Sequence, residues 1–139
     1  MGVTGAGRGT WCHRLLGHSK EFRCIAVHRG LIVSGVSFGE CLAWRIDSAS
    51  ASAAAELRCH KNKVKGVAVR CPLVVSGSID ESVRVWDLAR RKEEGQQETS
   101  SMAVLQHNGM VHAVALGSTT VVSGTFESAR SRVLVWEMP

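Results

Sequence analysis

Three observations predict an all-β fold for this chain. Its apolar residues come in short valine-rich runs with no long stripe at helical spacing, which is the pattern of strands. Around the phrase VVSGSIDESVRVWDL at 74–88 apolar and polar residues alternate, as at Val83 and Val85, with Gly, Ser and Asp where turns fall. The phrase returns in looser form at 121–136, VVSGTFESARSRVLVW, so the architecture is repetitive. With 139 residues, 45% of them hydrophobic and 21% charged, the chain is long and apolar enough to bury one core.

Three segments align: LLGHSKEFRCIAVHRGLIVSGVSFGECLAWRI from Leu15, LRCHKNKVKGVAVRCPLVVSGSIDESVRVWDL from Leu57, and LQHNGMVHAVALGSTTVVSGTFESARSRVLVWEM from Leu105. Each carries a His, an apolar strand, a (V/I)VSG phrase and a Trp, in that order. His18, His60 and His107 stand 42 and 47 residues apart, Trp44, Trp86 and Trp136 stand 42 and 50 apart, and each His precedes its Trp by 26, 26 and 29 residues. The three extra residues of the third repeat fall in TFESARSR, which predicts a longer hairpin turn there.

In order, spacing and residue type, the repeats resemble the WD-repeat family, from about Thr10 to Met138. The resemblance implies three four-stranded antiparallel blades of a WD-repeat β-propeller, in an incomplete or open ring, preceded by a flexible N-terminus at 1–9. In that family each repeat supplies the outer strand of one blade and the three inner strands of the next. Carried onto this chain, the first repeat implies strands at 10–16, 22–28, 31–36 and 41–46. The second implies 54–59, 64–69, 73–78 and 82–88, and the third 101–106, 110–116, 120–125 and 132–138. DSASASAAA at 47–55 and ARRKEEGQQETSS at 89–101 are small or charged without periodicity and read as exposed loops between strands.

The net charge is +5, but the basic residues are scattered, with one tight group at Ala89-Arg90-Arg91-Lys92 followed at once by Glu93-Glu94. Phosphate binding wants a stripe or patch, so nucleic acid is not the expected partner. Five cysteines at 12, 24, 41, 59 and 71 are odd in number and form no C-x-x-C pair, so reduced and mostly buried thiols are expected. No apolar stretch approaches a membrane span, and MGVTGAGRGTW lacks the apolar centre of a secretory signal, which leaves a cytoplasmic or nuclear location by elimination.

The second repeat holds a full polar set, His60, Ser76, Asp80 and Trp86. The family resemblance implies a buried chain in which the indole donates to the hydroxyl, the hydroxyl meets the imidazole and the imidazole donates to the carboxylate. The physical logic stands alone: a half-buried Trp needs an acceptor, and a neutral His both gives and takes. Ser78, two residues along, is an alternative to Ser76. The outer repeats carry partial sets, His18, Ser34 and Trp44 in the first and His107, Ser123 and Trp136 in the third, with Phe38 and approximately Glu127 where Asp80 stands. Looser outer repeats are expected.

Catalytic look-alikes are read as scaffold. Ser76, His60 and Asp80 have triad types, but the Ser falls mid-strand facing a Trp. Gly35-Val36-Ser37-Phe38-Gly39 fits G-x-S-x-G, yet the strand-like ECLAWRI follows where a helix is needed. Gly5-Ala6-Gly7-Arg8-Gly9 has no preceding strand and no Lys-Ser/Thr. Cys12-His13 and Cys59-His60 are strand neighbours that point to opposite faces. No cofactor or metal is expected.

The resemblance implies a non-catalytic protein–protein interaction scaffold or adaptor. Candidate contact residues flank the loop that follows each repeat histidine: Glu21, Arg23, Lys63, Lys65, Met110 and His112, with Lys61, Lys63 and Lys65 favouring an acidic or phosphorylated partner. A narrower alternative, on the likeness of residues 74–88 to F-box and WD-repeat proteins, is the substrate-recognition part of a ubiquitin ligase. A hydrolase is the remote alternative. Three blades fall short of the usual four to eight, so further blades, another chain or a second copy is expected to complete the ring.

Overall fold

A computed structural model describes Leu15 and residues 20–46, 51–58, 60–89 and 101–138, with 51–55 as backbone only. The hairpins of the inner strands are built from runs rich in β-branched residues, and their turns carry Gly30, Gly39, Asp80 and Gly117, or Cys71-Pro72 between the fifth and sixth strands, so the backbone ladder and the side-chain preference agree there. The first sheet contains β1 (Phe22–His28), β2 (Leu31–Val36), β3 (Glu40–Ile46) and β4 (Ala51–Arg58), in that order. The second contains β5 (Val64–Arg70), β6 (Leu73–Ser78), β7 (Ser82–Asp87) and β8 (Ala103–Gln106). β9 (Met110–Leu116), β10 (Thr120–Glu127) and β11 (Arg130–Glu137) form the third. All pairings are antiparallel between sequence neighbours.

The expected strand at 10–16 lies outside the described residues apart from Leu15, so the third sheet has three strands among the described residues where four were expected. Two further expectations are corrected. β4 begins at Ala51, inside the expected loop, because the free edge of β3 pairs with it from Ile46↔Ala51 to Glu40↔Arg58. A backbone ladder needs no side-chain pattern, and an Ala/Ser run carries none. The third repeat has no lengthened turn. Its extra residues extend both strands to eight, pair Glu127 with Arg130, and leave a two-residue turn at Ser128 and Ala129, with φ of 49° and 61°. Two successive positive φ angles are the turn that suits the right-handed twist of a hairpin.

The core lies between sheets. One apolar cluster joins Leu31, Val33, Cys41, Ala43 and Leu57 of the first blade to Val64, Val67, Val74 and Trp86 of the second. The other joins Val75, Val83 and Val85 of the second blade to Val111 and Val121 of the third. Alternation along β6 sends Val74 into one seam and Val75 into the other, so the middle blade is covered on both faces. Glycine makes the approach possible: a Cβ on Gly35 would meet Val64 Cγ1 at 2.8 Å, and one on Gly77 would meet Val111 Cγ1 at 2.6 Å.

Candidate functional site

The middle hairpin brings four polar side chains into one buried chain. Trp86, on β7, donates its indole N–H to Ser76 Oγ at 3.0 Å, and Ser76 lies 2.7 Å from His60 Nε2. His60 Nδ1 is 3.0 Å from Asp80 Oδ2. Ser76 is wholly buried and the His60 ring has no exposed surface, so each polar atom depends on its neighbour. Burial pushes the His60 pKa below its ordinary value, and the Arg84 charge adds to this; the Asp80 carboxylate opposes both without overcoming them. The imidazole is therefore neutral near pH 7, with its N–H toward Asp80 and Nε2 accepting the Ser76 hydroxyl.

Asp80 closes the chain. Burial acts to raise its pKa, but hydrogen bonds from Ser82, from the Lys61 backbone and from His60 bring it below the ordinary carboxylate value. The donors are the Lys61 N–H at 2.9 Å, the Ser82 N–H at 3.0 Å and the Ser82 hydroxyl at 2.6 Å, besides His60. Ser82 was not anticipated from the sequence. An Asp two residues before a Ser in a turn was the available signal, since that spacing lets the carboxylate bond the following N–H. Ser78 has a separate role from Ser76: its hydroxyl donates to the Lys63 carbonyl at 2.7 Å and accepts the Asp80 N–H at 3.1 Å, tying the loop to the turn.

The outer repeats hold parts of this arrangement. In the third, His107 Nε2 is 2.7 Å from Ser123 Oγ, and Trp136 donates to the same oxygen at 3.3 Å. His107 Nδ1 turns to the Leu105 carbonyl at 2.8 Å, and the exposed Glu127 lies in the extended hairpin, so it does not take the place of Asp80. In the first, Trp44 donates to Ser34 Oγ at 3.2 Å, while His18 lies outside the described residues. Phe38 is exposed at the turn, under the Lys20 ammonium, 5.0 Å from the ring centroid.

The geometry around the serines fits scaffold. Ser76 Oγ is enclosed and already bonded to an indole and an imidazole. Ser37 occupies the turn between β2 and β3, with a strand after it where an elbow needs a helix; its hydroxyl accepts from Arg23 Nε at 3.0 Å and donates to the Glu21 carbonyl at 3.3 Å. Among the described residues no three His, Cys, Asp or Glu side chains are placed to hold a metal, and no helix is long and apolar enough to cross a membrane. Cys12, His13, Cys59 and residues 5–9 lie outside the described residues. Cys24, Cys41 and Cys71 are free thiols; burial pushes Cys24 up to about 11 and Cys41 further, so neither is a thiolate near neutrality.

The candidate contact residues sit near the starts of the inner strands. Glu21, Met110 and His112 are exposed, whereas Arg23, Lys63 and Lys65 are half-buried. Arg23 reaches Glu21 Oε2 at 3.3 Å. Each inner strand has a bulge at the same place: the register slips between Phe22 and Cys24 on β1, between Val64 and Gly66 on β5, and opposite Gly124/Thr125 on β9. The extra residues are Arg23, Lys65 and His112. A bulge re-aims a side chain and is a common device beside binding sites. The sequence named these residues but gave no sign that a shared backbone irregularity positions them.

Three sheets of this order, stacked through valine–glycine seams and each carrying a Trp that donates to a Ser, have the fold of β-propeller blades, in an open arrangement over the described residues. The chain aligns with the WD40 β-propeller domain of Doa1 at a TM-score of 0.70 and 17% identity, over 88% of this chain and 39% of that one. A chain in the crystal structure of the mitotic checkpoint complex gives 0.72 and 22%, over 88% and 36%. The computationally designed protein Ika8 gives 0.72 and 24%, over 88% and 35%. In sequence, a p21-activated protein kinase-interacting protein 1-like protein of Gallus gallus is 35% identical over 66 residues, 47% of this chain but 16% of that protein. No family model matches the chain.

Proposed function

We infer that the chain is a non-catalytic protein-interaction module, and that its partner docks at the strand ends carrying Arg23, Lys65 and His112. The observation behind this reading is the repeated bulge, which offers a basic residue type at the same place in three successive blades. Such an array suits an acidic or phosphorylated segment, because the charged ends of Arg23 and Lys65 meet carboxylate or phosphate oxygens with charge-assisted hydrogen bonds and the His112 ring adds a further N–H donor. Support comes from relatives in fold: one structural neighbour is part of a multiprotein complex, and the sequence relative is described as kinase-interacting. A cytoplasmic or nuclear setting accords with free thiols. The ubiquitin-ligase reading has the likeness of residues 74–88 behind it and gains nothing further from the geometry.

The test is fluorescence anisotropy with a short Glu-rich peptide, with and without phosphoserine. Binding that weakens with salt and falls about tenfold or more in the Arg23→Glu, Lys65→Glu double variant is expected, given that each charged contact contributes about 1.5–3 kcal/mol. Salt-independent or variant-independent binding would remove the basic face from the account.

A further inference from the structure

The middle blade carries a cation where its neighbours carry leucine. Arg84 of β7 stands opposite Ser76 of β6, and the residues opposite the matching serines, Ser34 and Ser123, are Leu42 and Leu134. Leu42 is buried and Leu134 half-buried, so the position belongs to the packed side of each hairpin. Arg84 is half-buried there, beside the Ser76–His60 pair, and its charge acts on the imidazole. Among the described residues Arg23 and Arg58 each meet a carboxylate at 3.3 Å, whereas no carboxylate reaches Arg84. Its Nε–H is buried without an acceptor, and Nη1 donates to a neutral one, the Ser101 hydroxyl at 3.3 Å. A guanidinium drawn out of water without a counter-charge is costly, and a leucine there would serve the fold at least as well. An anion within reach of the uncommitted N–H groups would offset that cost.

We propose that Ser101 is a phosphorylation site and that Arg84 is the receptor for its phosphate. Three features select a phosphate on this hydroxyl over a dissolved anion. The Ser101 oxygen already stands at the guanidinium. Arg84 Nε has no solvent-accessible surface, so a diffusing ligand would have to push protein aside to find it. Ser101 is half-buried and lies just ahead of β8, outside a ladder that closes with the Met102 N–H on the Val85 carbonyl at 2.7 Å, so a modifying enzyme meets it at a strand end. The site also sits inside the middle blade, which has a blade packed on each face. The phosphate comes from a nucleoside triphosphate held by a protein kinase. Ser101 Oγ attacks the γ-phosphorus, the Oγ–P bond forms as the bond to the β,γ-bridging oxygen breaks, the hydroxyl proton passes to the kinase's base, and the nucleoside diphosphate leaves. The product carries a charge of about −1.5 to −2 and three acceptor oxygens next to Arg84. Turned toward them, the guanidinium gives two N–H groups to one phosphate, in the paired geometry that arginine favours. The buried cation then has its counter-charge, and the start of β8 is fastened to β7.

The full 139-residue chain with phosphoserine encoded at position 101 tests this. Its thermal midpoint is expected about 3 °C or more above that of the unmodified chain. In phosphorus NMR the second ionisation of the phosphate, near pH 6 for phosphoserine in water, is expected at least about half a unit lower in the folded chain than in urea. Arg84→Leu installs the residue of both neighbouring blades and is expected to fold. In that background phosphoserine is expected to give no rise in midpoint, and its ionisation to return to the value in urea. Arg84→Lys keeps the charge without the paired donors, and is expected to retain the ionisation shift with a smaller rise. A rise that survives Arg84→Leu assigns the phosphate to other cations, such as Arg90, Arg91 and Lys92, and overturns the proposal. An unshifted ionisation or a lowered midpoint in the phosphorylated wild-type chain overturns it as well.

Discussion

The second and third repeats begin from nearly the same phrase and solve the end of their hairpin differently. In the second, a three-residue loop at 79–81 lets Asp80 fold back and take four donors, so Trp86, Ser76, His60 and the turn become one connected chain. In the third, eight-residue strands continue to Glu127 and Arg130, and the carboxylate is spent on an exposed ribbon. His107 then turns its second nitrogen to its own backbone at Leu105. The comparison shows that three extra residues can exchange a side-chain lock for a backbone ladder without changing the blade. The lock is the more vulnerable device, because removing one member leaves the others buried and unpaired.

The largest expected difference is at the tryptophans. Trp86→Ala is expected to cost about 3–5 kcal/mol in urea unfolding, because the ring is fully buried in the first seam. Trp136→Ala, at a half-buried ring, is expected to cost less than half of that. Equal costs would mean that neither the deeper burial of Trp86 nor its polar chain sets the two hairpins apart. Next comes the histidine: His60→Ala strands Ser76 and Asp80 and is expected to lose about 1–3 kcal/mol, more than either His107→Ala or His18→Ala in thermal melts. A smaller step separates the carboxylates. Asp80→Asn should cost about 1 kcal/mol, whereas Glu127→Gln should stay within about 0.5 kcal/mol.

Acid sharpens the same contrast. His60 has its pKa held below 6.5 in the folded chain by burial, so the unfolded chain binds the proton first and stability falls as pH drops through that range. Asp80, also held below its ordinary 3.8, keeps its contribution above that value and loses it as pH falls through the folded pKa. Both losses run in one direction, histidine first. Denaturant midpoints of the wild type should decline on going below about pH 6.5, and His60→Gln should flatten that first decline; an unchanged slope would exclude His60 as its source. The last expected effect is a gain. Ala129→Gly relieves a positive φ of 61° in the two-residue turn and should stabilise by about 0.5–1 kcal/mol in the same assay.

The blades were legible because Ser34, Ser76 and Ser123 each precede a glycine and stand ten to thirteen residues before a tryptophan that bonds them. Spacing of that kind survives in a linear string. The early start of β4 was not, since alanine and serine carry little strand preference and the pairing comes from the edge of β3. The long third hairpin was hidden for a related reason: TFESARSR looks like a loop, yet a ladder is made of backbone. The bulges at Arg23, Lys65 and His112 leave no compositional trace at all. Among the candidate residues, those held by side-chain bonds were readable and those aimed by backbone geometry were readable as names alone.

The adjacent valines of β6 have one more consequence. Val74 and Val75 belong to different clusters, so the middle blade is a structural tenant of both cores, while each outer blade belongs to one. Loss of an outer blade dissolves one core; loss of the middle blade dissolves both. The molecule thus behaves as a short one-dimensional array coupled through nearest neighbours, in which opening propagates inward from the ends. Amide protons of β6 and β7 should exchange with solvent more slowly than those of β10 and β11, and the ends should fray as whole sheets.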